Sequence, residues 1–206
     1  SKKFKIKNLK VDTRLNLDEF ILQYDLNKLK KYIKNYDNLI NFKKNKIHIK
    51  YLKKKFLING SSEFYIDENF NNLIELNIEK SSNKTSFETF INLENLELIV
   101  NEIDYIKHKK NKANLKIKGF ENGKKIFFKN INYKENNNKI EINNLTINKN
   151  KILDVEQVKF NYLTNNNFKN QIYLTKNEND FNLIGKSFDS VQLIENISNS
   201  EDGKNF

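Results

Sequence analysis

The residues best equipped for chemistry in this chain are its two histidines, His48 and His108. A metal-binding or catalytic imidazole needs partners at set spacing, such as a second His or a carboxylate that orients the ring. His48 alternates with Ile47 and Ile49, which places it on the polar side of a strand, and His108 sits among lysines in a turn. Neither has such a partner nearby, so both read as solvated surface histidines. Carboxylates are mostly interleaved with Lys at positions that read as exposed, whereas a working general acid and base pair needs burial. With five glycines in total, the chain has no Gly-rich phosphate loop, and it has no G-x-S-x-G elbow. The absence of Cys excludes disulfides, thiol catalysis and Cys-ligated metal, and leaves the compartment open. Sequons such as Asn83-Lys84-Thr85 and Asn144-Leu145-Thr146 are expected by chance in so Asn-rich a chain. The chain therefore reads as non-enzymatic, with no cofactor and no metal.

Composition bears on the partner. Lys, Asn and Ile supply roughly half of the 206 residues, with no Pro, Met or Trp, the bias that AT-rich codons write. The balance of 37 Lys+Arg against 26 Asp+Glu gives a net charge of +11, which raises nucleic acid or an anionic membrane as partner. Nucleic-acid surfaces draw on Arg for bidentate contacts and stacking, and Arg14 is the only arginine. Lysines are dispersed through every strand and turn, so a nucleic-acid role is disfavoured. Aromatic residues such as Phe87, Phe127, Tyr133 and Phe160 could stack bases. Most lie in phase with Ile and Leu on their own strands, and sheet packing accounts for them better.

The elements follow from periodicity. Apolar residues alternate with Lys, Asn and Glu in KNKIHIKY (44–51), ANLKIKG (113–119), KIEIN (139–143) and NQIYL (170–174), sending successive side chains to opposite faces of a strand. Residues 2–22 read as strand, with Leu9, Val11, Leu15 and Leu17 on one face. Phe4 and Ile6 are out of phase, which suggests a bulge near Lys7 and Asn8. Leu26, Leu29, Ile33 and Tyr36 have helical spacing behind a candidate N-cap at Asp25, predicting a short amphipathic helix over 26–36. Strands are then expected at 45–51, 54–66, 73–80, 84–93, 96–106, 113–120, 124–134, 138–147, 151–163, 168–175 and 180–185. Asn122-Gly123 is the clearest hairpin signal, and Asn59-Gly60 inside an apolar run suggests a bulge. Strand spacing of roughly 10–15 residues leaves no room for crossover helices, so the sheet is expected to be antiparallel. Near the end, Asp189 or Ser190 can cap a helix over 189–197 that presents Val191, Ile194 and Ile197, and the tail looks unstructured.

The division that results is an N-terminal strand with a short helix over 1–44, an antiparallel β-groove over 45–187, a capping helix over 188–198 and a disordered tail over 199–206. No run approaches the roughly 20 apolar residues of a membrane-spanning helix, and the basic start is not followed by the apolar core of a signal peptide. Roughly eleven strands make a sheet that must curl, split into a sandwich or stay open as a trough. A sandwich buries its apolar face on itself, whereas a trough keeps it for a ligand. An acyl chain of about 16 carbons needs on the order of 12 kcal/mol of continuous apolar lining, which a curved sheet can supply.

The succession NLELIVNEIDYIKHKKNKANLKIKGF, KNINYKENNNKIEINNLTINKNKILDVEQVKFNY and NFKNQIYLTKNENDFNLIGKSFDSVQLIENI resembles the AsmA-like family, of the YhdP and TamB type, from low-GC alphaproteobacteria. Its most specific piece is the closing G-x-S-F-D-x-x-x-L-I, here Gly185, Ser187, Phe188, Asp189, Leu193 and Ile194, where a groove strand of that family ends in a short capping helix. The similarity spans about residues 40–198. The resemblance implies one fragment of a larger, elongated periplasmic protein, anchored in the inner membrane through a segment not present here. The sheet of such a protein curls into an apolar groove that passes phospholipids towards the outer membrane.

The expectation is thus a mainly β protein, a long curved antiparallel sheet forming an open groove or half-barrel, that binds phospholipid acyl chains non-covalently. The expected lining is Ile47, Ile49, Leu115, Ile117, Ile140, Ile142, Phe160, Tyr162, Ile172, Leu174, Phe181 and Leu183, with the intervening Lys and Asn in water. The competing expectation is a structural or adhesive β-sandwich or solenoid whose apolar face is a closed core.

Overall fold

The computed structural model describes residues 9–23, 27–34, 36, 38–52, 54–67, 70–149, 151–178, 180–191 and 194. Its elements are β1 (Val11–Gln23), α1 (Asn27–Lys30), β2 (Leu39–Leu52), β3 (Lys55–Asp67), β4 (Phe70–Ser81), β5 (Lys84–Asn92), β6 (Leu98–Val100), β7 (Tyr105–Lys107), β8 (Ala113–Asn122), β9 (Lys125–Glu135), β10 (Asn138–Asn148), β11 (Lys151–Asp154), β12 (Gln157–Leu163), β13 (Lys169–Asn177) and β14 (Asp180–Ser187). All but β6 and β7 belong to one 12-stranded sheet. Its order is β1-β2-β3-β4-β5-β8-β9-β10-β12-β13-β14, with β11 beside β10, and every pairing is antiparallel. The sheet is open and curved, with β1 and β14 as unclosed edges.

The meander arises because short polar turns join neighbouring strands. At Asn122-Gly123 the hairpin closes between Asn122 and Lys125, and Gly123 takes the positive φ of 64° that a tight turn requires.

Several elements differ from the sequence expectation. The run 96–106 is not a strand of the main sheet. It breaks at a 3-10 turn over Asn101–Ile103, closed by Asp104 in the left-handed region, leaving β6 and β7 as a three-pair ribbon. Asn92 pairs directly with Asn114, so 93–112 is an excursion from the sheet. The helix expected over 26–36 is four residues, α1, after which Ile33 forms a β-bridge to Leu98. Local helical spacing is outweighed there by the ribbon. The strand start expected at 45 lies at Leu39, and the strand expected over 151–163 is interrupted between β11 and β12. Asn59-Gly60 is regular strand. The bulge lies opposite, where Lys44 and Asn45 of β2 face the single residue Ser62, and Lys44 takes a φ of 53°.

At the C-terminal end, Val191 N–H donates to Asp189 Oδ1 at 3.1 Å and Ile194 N–H to Ser190 O at 2.9 Å, so Asp189 caps a helical turn. Phe4, Ile6, the bulge expected near Lys7 and Asn8, the cap at Asp25, Leu26, Leu193, Ile197 and the tail 199–206 lie outside the described residues.

Candidate functional site

Directly paired residues of antiparallel strands share a face, so the register assigns every side chain. One row runs Leu15, Ile47, Gly60, Leu76, Thr89, Ile117, Ile131, Ile142, Val158, Leu174, Leu183, crossing eleven strands without a charge. At about 4.8 Å per strand it spans about 48 Å. A second apolar row on the same face runs Ile74, Ile91, Leu115, Tyr133, Ile140, Phe160, Ile172. A third contains Ile49, Ile58, Ile78, Phe87 and, after Gly119, Phe128 and Leu145. Together they form an apolar band three residues deep. Beyond the third row, Lys80 and Glu121 appear on this face and mark its limit.

All twelve residues singled out from the sequence fall on this face, but their surroundings differ. Phe181 and Leu183 on edge strand β14 are 54% and 65% exposed, and Tyr162 is 2% exposed. The other nine are half-buried. Tyr162 is covered because the 93–112 excursion and the Ile33 segment fold back over one side of the band. They form a core of Phe64, Leu93, Leu96, Tyr105, Ala113, Tyr133 and Tyr162, with Leu115, Ile140 and Phe160 packed against it. Tyr162 OH donates to Ile103 O at 3.1 Å. Tyr162 is thus part of a wall rather than of an open surface. The face is a floor of three apolar rows with a wall along one side.

The wall is held by buried polar groups. Tyr105 OH donates to the 2%-exposed carboxylate of Glu135, which also accepts from Asn111 Nδ2 at 2.7 Å and Asn138 Nδ2 at 3.0 Å. Burial pushes the Tyr105 and Tyr133 hydroxyls well above the usual phenol range, so both stay neutral donors. Lys107 is fully buried, and its ammonium donates to Glu94 O and Leu96 O, both at 2.7 Å. Burial pushes its pKa down to about 8, against the pull of Glu135, Glu94 and Glu97. These groups tie the loop to the sheet.

Near the N-terminal edge, an apolar cavity of about 200 Å³ lies among Phe20, Leu22, Phe42, Ile74 and Leu76, with Asn45 and Ser62 at its base. Phe20 and Phe42 stack at 4.7 Å. Asn45 is buried and donates to Leu17 O and Phe42 O while accepting from Ser62 Oγ at 2.6 Å, which fixes the bulge. Sequence reasoning missed Phe20, Leu22 and Phe42 because the bulge changes the phase of β1 and β2 beyond it.

The opposite face is polar. Asn130 donates to Asn143 at 2.8 Å, Asn143 to Gln157 at 2.9 Å and Gln157 to Tyr173 OH at 2.7 Å, an amide ladder across four strands. His48 stands on this face 2.6 Å from Asp12, a cross-strand pair hidden in the sequence by a separation of 36 positions. The hydrogen bond to His48 holds the exposed Asp12 carboxyl below its usual range, helped by Lys50. His108 lies in an exposed turn. Among the described residues no cluster of three His, Cys, Asp or Glu could hold a metal.

No family model, no curated protein and no solved structure matches this chain.

Proposed function

We propose that the protein binds phospholipid acyl chains non-covalently along the apolar band. The observation that carries this reading is the charge-free row from Leu15 to Leu183, paired strand to strand, with none of its residues in the core that the ribbon closes. At roughly 0.8 kcal/mol per buried methylene, an acyl chain of about 16 carbons gains on the order of 12 kcal/mol by lying on such a surface. The buried wall beside it supplies a second apolar side, so a chain there is shielded from two directions.

Together with the resemblance to AsmA-like proteins, this supports a non-enzymatic role in phospholipid transport between the inner and outer membranes of a periplasmic protein anchored by a segment outside these residues. No helix among the described residues is long and apolar enough to cross a membrane. The competing reading, a closed structural core, has support on the walled side alone, where Tyr105, Tyr133 and Tyr162 are shut in.

Mass spectrometry of the purified protein tests the reading by detecting co-purified lipid. Labelling by a photoactivatable fatty acid should be lost in Ile117→Asp and Ile142→Asp and retained in Lys116→Asp and in Glu141→Gln, which alter the other face. Equal loss in both sets would sink the acyl-binding reading.

A further inference from the structure

At the walled end Lys31 pairs with Glu102 at 2.7 Å and Lys34 with Glu97 at 2.9 Å. On the polar face Lys43, Lys44, Lys50, Lys118 and Lys139 each have a carboxylate within 4 Å, and Lys116 and Lys159 lie over aromatic rings. The opposite end consists of hairpin tips, where the register places one lysine on every second strand. The row reads Lys55, Ser81, Lys84, Asn122, Lys125, Asn148, Lys151. Its four lysines recur at about 10 Å and the row spans about 29 Å. Lys54, Lys124 and Lys149 sit in the turns just beyond it, and Lys54 and Lys149 take positive φ. Lys55 meets Glu79 at 3.0 Å and Lys84 lies over Phe120 at 4.1 Å. Lys54, Lys124, Lys125, Lys149 and Lys151 have no ion pair among the described residues.

Beside this row stand exposed aliphatic side chains, Leu52, Ile152 and Leu153. A regular row of lysines, with five lysines at this end free of ion pairs among the described residues and aliphatic groups beside them, matches a surface of anionic headgroups over an apolar interior. They match a nucleic acid less well, since the row has no Arg for bidentate contacts.

We infer that the hairpin-tip end is a docking surface for an anionic phospholipid bilayer. The interaction uses the lysine row and its aliphatic neighbours. It goes beyond acyl binding and does not depend on it.

Co-sedimentation with phosphatidylcholine vesicles, with or without phosphatidylglycerol, tests the inference. Binding is expected only with phosphatidylglycerol, falling as salt rises. Lys125→Gln with Lys151→Gln should weaken it on the order of 25-fold, at about fivefold per lysine. Lys116→Gln with Lys159→Gln removes the same charge from the polar face and should change it by roughly twofold or less. Equal losses in the two pairs, equal binding to neutral vesicles, or equally tight binding of a single-stranded oligonucleotide would each overturn the inference.

Labelling of the Lys125→Gln, Lys151→Gln protein by soluble photoactivatable fatty acid, without vesicles, separates the two readings. Labelling at the wild-type level with vesicle binding lost in this pair alone supports docking through the row. Wild-type vesicle binding by this protein overturns docking through the row, whatever its labelling.

Discussion

Tyr105 of the ribbon and Tyr133 of the sheet meet hydroxyl to hydroxyl at 2.7 Å, with their rings edge to face at 6.2 Å. Because the Tyr105 hydroxyl donates its hydrogen bond to Glu135, Tyr133 is the donor between the two, and the chain of hydrogen bonds runs from sheet to ribbon to a buried carboxylate. The wall of the apolar band is therefore attached by directional contacts as well as by packing.

Tyr105→Phe removes one donor from a buried carboxylate and orphans the Tyr133 hydroxyl. A loss of about 2 kcal/mol is expected, read from urea denaturation. Tyr133→Phe leaves the bond to Glu135 in place and should cost about half as much.

Lys107 gives a pH signature. Its pKa is about 8 when folded and near 10.5 when unfolded, so below pH 8 the folded state carries the cost of a buried ammonium. As pH rises through 8 the folded state sheds this proton first, and stability should increase between about pH 8 and 10, by up to ~3 kcal/mol. Lys107→Met should abolish that rise. A flat or falling melting temperature for the parent protein over this window would contradict the assignment.

The glycines of the apolar face should respond differently to substitution. A Cβ at Gly119 would stand 2.3 Å from Phe127 O and 2.8 Å from Phe87 Cζ, whereas at Gly60 the nearest atom is Leu76 Cγ at 3.5 Å. Gly119→Ala should destabilise by about 2–4 kcal/mol or prevent folding. Gly60→Ala should be neutral or stabilise by up to ~1 kcal/mol.

The band and its wall should separate in mutagenesis. Leu183→Ser alters an exposed side chain and should leave the melting temperature nearly unchanged while reducing fatty-acid labelling. Tyr162→Ala empties a buried site and should cost about 3–5 kcal/mol.

Much of the sheet was legible in the sequence because a strand's period of two is a local property. Ile47 and Ile49, Ile140 and Ile142, or Ile172 and Leu174 reveal a shared face without any knowledge of the strand beside them. Asn122-Gly123 likewise reports a turn, since few residues accept positive φ. What alternation cannot report is the partner. Leu96, Leu98 and Val100 alternate as well as any strand, yet Leu96 lies in no strand and Leu98 and Val100 pair only with β7, Leu98 also bridging Ile33, because the Asn92 to Asn114 pairing leaves them outside the sheet. The bulge at Lys44 and Asn45 was equally hidden, its polar groups being satisfied by Leu17, Phe42 and Ser62 from three strands.

By itself, then, the sequence determined a two-faced antiparallel sheet and the identity of its apolar side, since both follow from the direction of successive Cβ atoms. Only the tertiary structure decided which of those residues are walled in and which lie open. It also decided that lysines from separate hairpins fall into one row, because exposure and alignment depend on register between strands far apart in the chain.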